Sequence, residues 1–354
     1  TGRIGFVVVD EAHHIGLSRA GHRPAYAQLG SAIAQMGNPV VLALTATSDE
    51  AVTSDIDRVL PVAGHVVDDT MRTNLHVVDQ RNLRNRGDYL ATLVAQGEKS
   101  VIYVSSREQS VALARNLRKR VPQMAPLIGF YNAGLSRAER TRVEELFRTG
   151  AIAVLVATSA FGEGVDIPDI RNVVLYHPCF SVEAFNQLAG RCARDGEDGR
   201  VHLLYSEKDL ALNEMIISDS APSRENLGKM YQLLKAIAKQ RGYIIQAATD
   251  DLEEGLANLV EGFGKRQWQQ ALTIFEELAF LHVEQNGTQT TITIEKDPAH
   301  RALTESATFL EGTSEARALS QFEEIAFTKN IDALEHVIRS ALCPANWHGR
   351  EVKP

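Results

Sequence analysis

The chain has little of what marks extracellular, membrane-spanning or metal-stapled proteins. Only three of its 354 residues are cysteine, Cys179, Cys192 and Cys343, and their spacing matches no zinc or disulfide pattern. Scattered cysteines suit a reducing cytoplasm, and no zinc is expected. No apolar run approaches the roughly 18 residues of a membrane helix, and no secretory leader is readable. Strong positive charge is also missing. The formal net charge is -8, which argues against indiscriminate nucleic-acid binding while leaving room for a local basic groove. Repeats and low-complexity segments are absent. So is any G-x-x-x-x-G-K-S/T loop, the usual cradle of β- and γ-phosphates.

What is present is an ordinary globular composition, with 44% hydrophobic and 23% charged residues. The length predicts two or three domains. Ile4–Val9 and Pro39–Leu44 are continuous apolar runs, read as strands buried on both faces. Pro24–Met36 reads as a helix between them, and Ser48-Asp49-Glu50 as the start of another. A boundary is expected near residues 70–80, where polarity becomes mixed. Beyond it strands and helices alternate. Ser100–Val104, Leu127–Tyr131, Ala153–Ala157, Val173–Tyr176 and Val201–Tyr205 read as strands. Arg107–Arg120, Ser136–Phe147 and Val182–Ala193 read as helices, the second opened by a Ser136–Glu139 capping box. Such alternation predicts a parallel sheet with helices on both faces.

After Ala221-Pro222-Ser223 the pattern changes again. Arg224–Gln240, Leu252–Val260 and Arg266–Leu281 read as helices. His282–Gln285, Asn286-Gly287 and Thr290–Ile294 read as a hairpin, since Asn-Gly is a strong turn signal. Helices followed by a hairpin predict a winged helix, with a small helical packing domain as the alternative. Ser314–Leu342 is amphipathic and helical.

Chemistry concentrates at strand ends. Asp10-Glu11-Ala12-His13 follows the first strand. An Asp there can hold Mg²⁺ and an adjacent Glu can deprotonate an attacking water, or the pair merely caps a loop. Thr45-Ala46-Thr47 ends the second strand, where hydroxyls can link sites or form a simple turn. The stretch 153–195 holds Thr158, Gly162, Gly164 and Asp166, then Gln187, Gly190, Arg191 and Arg194. Glycines let a backbone approach phosphate or ribose. Two arginines three apart on one helix face could reach one anion together, or form a solvated basic face.

The order of these blocks, DEAH, TAT, T-x₃-G-x-G-x-D and Q-x-x-G-R-x-x-R, resembles that of superfamily 2 helicases over about residues 4–210. Within that superfamily the chain resembles the RecQ DNA helicases, through LALTAT at 42–47, YNAGL at 131–135, VATSAFGEGVDIPDIR at 156–171 and QLAGRCARDG at 187–196. The resemblance implies RecA-like sheets: the C-terminal part of a first domain over 1–75, a complete second over 76–220, a winged-helix-like α+β domain over 221–300 and a helical tail over 301–354. It implies ATP and Mg²⁺, with Asp10 as the Mg²⁺ residue, Glu11 as general base, and His13 and Gln187 as couplers at the γ-phosphate. Thr45 and Thr47 become domain-linking hydroxyls. Gly162 and Gly164 become parts of the nucleotide loop, Asp166 the ribose contact, and Arg191 and Arg194 arginine fingers. Ser105, Ser106, Arg107, Asn132, Gly134, Thr158 and Ser159 fall on loops that hold a nucleic-acid backbone.

Four features depart from the family pattern. The phosphate loop is missing, no aromatic occurs in Ile15–Pro24, the Cys₄ zinc module is absent, and Leu188 stands where a Glu is expected. A longer parent supplying the phosphate-binding half is therefore expected, with negligible ATP turnover from these residues alone. The expected function is ATP-dependent unwinding of single-stranded and forked DNA in repair or recombination, in a bacterial, nucleoid-associated cytoplasmic setting. The tail is similar to chains that fuse such a module to a RecJ-type exonuclease. A non-motor DNA-binding or docking module on a nuclease, and an RNA helicase, are the competing readings.

Overall fold

A computed structural model describes residues 4–17, 24–45, 48, 50–68, 70–162, 165–259, 264–328 and 330–340. Thr47, Gly164 and Cys343 lie outside the described residues. The chain divides into two compact units, one of residues 1–65 with 214–318 and one of residues 66–213 with 319–354. No helix among the described residues is long and apolar enough to cross a membrane.

The first unit opens with β1 (Phe6–Val9), α1 (His14–Leu17), α2 (Leu29–Gln35), β2 (Val40–Ala43) and α3 (Glu50–Val59). The segment read as one helix from Pro24 begins instead as a 3₁₀ turn over Pro24–Gln28. β1 and β2 pair in parallel, Phe6 opposite Val40 and Val9 opposite Ala43. Burial on both faces was expected, and here the structure differs. Ile15, Ile33, Ile56 and Leu60 pack with Val9 on one face. Phe6, Val8, Val40 and Leu42 are 44–67% exposed on the other. Residues alternate across a strand, so covering one face of a strand pair leaves every second apolar side chain in solvent.

The second unit is built on β3 (Leu75–Asp79), α4 (Arg86–Ala95), β4 (Ser100–Tyr103), α5 (Arg107–Arg120), β5 (Ile128–Tyr131), α6 (Arg137–Arg148), β6 (Val154–Ala157), β7 (Asn172–Leu175), α7 (Val182–Ala189) and β8 (Gly199–Leu203). Its six strands are all parallel, in the order β3-β8-β7-β4-β6-β5. This is the doubly covered α/β sheet expected of a RecA-like domain. Successive residues point to opposite faces. Val101, Tyr103, Leu155 and Val173 join Phe147 and Phe185 of α6 and α7 in one core. Ile102, Val154, Val156 and Val174 join Leu90, Leu93, Ala114 and Leu117 of α4 and α5 in the other. The capping box at Ser136 and Glu139 forms as read.

A buried polar chain runs from the starts of β4 and β7 to His202 of β8. Asn172 donates its amide to Glu98 (3.0 Å) and Ser100 (3.2 Å), so its oxygen accepts from Nε2 of His202 (3.0 Å). Nδ1 of His202 then accepts from the Tyr89 hydroxyl (2.7 Å). Burial, and secondarily the charge of Arg200, push the imidazole down to about 4 against a weaker upward pull from Glu98. The folded pKa lies below the unfolded one, so this contribution is complete above pH 6.5 and lost as pH falls toward 4. The loss is expected to be on the order of 3 kcal/mol. Urea unfolding at pH 7.5 and 4.5 checks it: wild type should lose far more stability than His202→Gln, and equal losses would refute the assignment.

α8 (Glu207–Ser220) follows β8, and then comes the order α9 (Arg224–Lys239), β9 (Ile244–Ala248), α10 (Thr249–Leu259), α11 (Lys265–Glu277), β10 (Leu281–Asn286) and β11 (Gln289–Ile294). The strands form an antiparallel sheet ordered β10-β11-β9. Asn286 pairs with Gln289, so the hairpin loop is Gly287-Thr288, with Gly287 at φ +62°. Trp268, Phe275, Met230, Leu234 and Ile292 fill the core beneath. α12 (Ala307–Ala326) and α13 (Ile331–Arg339) follow. Phe322, Ala326, Leu334 and Ile338 from these helices are buried in the α6–α7 face of the six-stranded unit.

Candidate nucleotide and nucleic-acid site

In the first unit the DEAH turn leaves the end of β1 and is tied to the end of β2. The amide of Ala12 donates to Leu44 O (2.8 Å), and that of Leu44 to Val9 O (2.8 Å). The Asp10 carboxylate is exposed and accepts from the Glu11 amide (2.9 Å). Glu11 has φ +50°, an uncommon conformation for a residue with a side chain. Nδ1 of His13 lies 3.1 Å from the Thr45 hydroxyl and 3.2 Å from a Glu11 carboxylate oxygen. Asp10, Glu11, His13 and Thr45 are thus one small cluster. The exposed Asp10 carboxylate at a strand end fits Mg²⁺, which takes one or two carboxylates together with substrate phosphates.

In the second unit the parallel strands all end at one edge, and β4, β6 and β5 are neighbours there. Their following loops therefore meet. The Thr158 amide donates to Tyr131 O (3.1 Å). A Cβ on Gly134 would lie 3.0 Å from Asn132 Oδ1 and 3.6 Å from Arg107 Cδ. Ser105, Arg107, Gly134 and Ser159 are exposed along this edge. Ser106 and Asn132 serve the loops themselves. Ser106 accepts from the Gln109 amide (3.1 Å) as the N-cap of α5. Asn132 is buried, donating to Ser110 (2.9 Å) and accepting from the Gly134 amide (2.9 Å). Gln109, whose oxygen is 2.8 Å from Nε2 of His177, ties this edge to the end of β7.

The arginines are where the structure corrects the sequence reading. Gln187 sits half-buried on α7, but α7 ends at Ala189 with Gly190 as its cap. Arg191 and Arg194 do not share a helix face. They lie in the turn beyond it, where Ala193 adopts φ +48°. Both side chains nonetheless line one small pocket, with Phe161, Val165, Ile167 and Ile170. Arg191 lies against Gly162, whose φ is +138°, and a Cβ on Gly162 would overlap the Arg191 guanidinium. Arg194 pairs with Asp166 at 3.1 Å. Helical periodicity runs straight through Gly190, and nothing local shows that the turn is held from outside.

What holds it is Arg72, which sequence reasoning missed. Its guanidinium donates to Gly190 O (2.8 Å), Cys192 O (2.5 Å) and Ala193 O (2.8 Å). Asn74 adds bonds to Ala193 O (2.9 Å) and Glu197 O (2.7 Å). Both precede β3 in a stretch that reads only as a boundary. Burial pushes the Cys179 thiol up to about 12 and the Cys192 thiol up to about 11, so neither is a ready thiolate.

Residues 85–196 match the model of the helicase conserved C-terminal domain. The chain is 33% identical over 240 residues to the probable ATP-dependent DNA helicase RecS of Bacillus subtilis, covering 66% of this chain and 47% of that protein. It is 31% identical over 230 residues to the ATP-dependent DNA helicase RecQ of Haemophilus influenzae, covering 63% and 36%. The mouse ATP-dependent DNA helicase Q1 is 28% identical over 263 residues, covering 71% and 39%. The chain thus spans less than half the length of each of these relatives.

Proposed function

Taking as premise that the chain is a RecQ-like superfamily 2 helicase module, we propose that it works as an ATP-driven DNA helicase or translocase in DNA repair or recombination. One observation carries this reading. Gly162 and Asp166, separate in sequence from the Arg191–Arg194 turn, meet it in space, Gly162 lying against the Arg191 guanidinium and Asp166 pairing with Arg194, beside an edge where three loops expose Ser105, Arg107, Gly134 and Ser159.

Under this proposal Glu11 takes the proton of the attacking water. His13 and Thr45 keep that carboxylate in place, and Asp10 would hold Mg²⁺, which when bound would supply neutralisation of phosphate charge. Thr47 links hydrolysis to motion, with Gln187 sensing the γ-phosphate. Gly162 and Gly164 admit the nucleotide, Asp166 exchanges Arg194 for a ribose hydroxyl, and both arginines turn to the phosphates. The 354 residues contain no phosphate loop, so that function falls to another segment of the working protein. The loop edge, with Thr158 and Asn132 shaping it, tracks the DNA backbone without reading sequence. The order α9–β9–α10–α11–β10–β11, with β11 central, supports reading residues 221–300 as a winged helix that meets duplex at a fork. A RecJ-type nuclease partner belongs to the same proposal.

Backbone tracking makes a salt prediction. Affinity for single-stranded DNA should fall log-linearly between about 50 and 200 mM salt, with Arg107→Gln lowering the slope by about 0.7 for one lost phosphate contact. Fluorescence anisotropy checks this, and a flat salt response would contradict it. Running single-stranded RNA beside DNA in the same titration, and in ATP turnover, tests the substrate class. Stimulation by RNA alone would favour the RNA-helicase reading. DNA binding without any turnover by the full-length protein would favour a docking module.

A further inference from the structure

The turn that carries Arg191 and Arg194 is held by a residue more than a hundred positions earlier, and that residue is held by the end of the chain. The Arg72 amide donates to Arg339 O (3.0 Å), on the last residue of α13. The Arg339 guanidinium returns to Leu75 O (2.8 Å) and pairs with Glu335 (2.7 Å). Glu335 accepts from the Val77 amide (2.9 Å). On its other side α13 reaches α7, where Asn186, the neighbour of Gln187, donates to Val337 O (2.6 Å) and Ser340 O (3.3 Å). The contact is also apolar, through buried Leu334 and Ile338. α13 therefore bridges edge strand β3 and the helix that leads into the arginine turn.

A lone turn with an alanine at positive φ does not hold two long cationic side chains in fixed directions. Three carbonyls converging on one planar guanidinium do, because its donors form a rigid fork. Lysine carries the same charge on a single nitrogen and cannot span that set. We propose that Arg72 is a positioning residue for Arg191 and Arg194, and that docking of α13 keeps it in place, so the carboxy-terminal helix controls the readiness of the arginine turn. The inference rests on the proposed role of the two arginines.

The test is made in the full-length protein with Arg72→Lys and, in the tail, Arg339→Gln. Expected is a fall in kcat for DNA-stimulated ATP hydrolysis of about 10- to 100-fold in Arg72→Lys, with the KM for ATP within about twofold, because misplacement by about 1 Å carries such a cost. Arg339→Gln should show the same pattern more weakly. Backbone amide exchange should quicken over residues 190–197 in both variants and stay unchanged in β4 and β6. Unchanged kcat and exchange in Arg72→Lys would overturn the proposal. So would loss of protection throughout the sheet, which marks a merely structural residue. Arg191→Gln and Arg194→Gln run alongside. If they leave turnover intact, the reading of the arginines fails on its own account, and the exchange data still decide whether Arg72 holds the turn.

Discussion

Arg191→Gln should lower DNA-stimulated ATP turnover by about 10³-fold or more, the scale on which an arginine stabilises a transferring phosphoryl group. Binding of single-stranded DNA should be preserved, because the exposed loop residues after β4, β5 and β6 lie outside this turn. The reason for so large an effect is geometric. Arg191 is directed by a glycine whose missing side chain is the space the guanidinium fills. A group prepositioned in this way stabilises developing charge without reorganising at the moment of reaction. Glutamine keeps part of the hydrogen-bonding capacity and loses the charge. Steady-state turnover at saturating DNA and ATP is the measurement. A drop of less than about tenfold would mean that Arg191 is a solvated or purely structural cation.

Glu11→Gln should reduce turnover by about 10²- to 10⁴-fold, the range general-base catalysis supplies. ATP binding should persist, since the exchange removes a proton acceptor and little else. The local structure supports the role. Glu11 is held at φ +50°, a conformation that costs free energy and occurs where surroundings enforce it. Its carboxylate is 3.2 Å from His13, which also reaches Thr45 at the end of the neighbouring strand. Replacing Glu11 therefore tests chemistry without removing a core contact, because the side chain is exposed. Single-turnover rates and nucleotide affinity, measured separately, check this. Near-normal turnover with intact affinity would exclude the general-base assignment.

These two sites were unequally legible in the sequence. Asp10, Glu11, His13 and Thr45 follow apolar strands, and parallel strand ends converge whatever the details of packing. The second sheet was legible for a related reason: β4, β6 and β7 are buried along their whole length and, beyond Ser100 and Asn172 at the starts of β4 and β7, read as apolar runs. β3 was not, because it is an edge strand with polar His76 and Asp79. β9 was missed because its five residues gain their pairing from β11, more than forty positions later. The arginine turn reads as helix because the turn after Gly190 is held by Arg72 and Asn74, and no local pattern announces a clamp from so far away. The strand pair β1–β2 shows the converse error. Hydrophobicity showed that both faces want burial, but only one is covered among the described residues.

On the proposed function, ATP chemistry in this protein is coupled to a nucleic-acid backbone. The most direct measurement is the ATP turnover of the full-length protein as single-stranded DNA is added, beside the Arg107→Gln variant. Expected are little turnover without DNA, strong stimulation with it, and a higher DNA concentration for half-stimulation in Arg107→Gln at an unchanged maximal rate. Turnover indifferent to DNA in both proteins would contradict it.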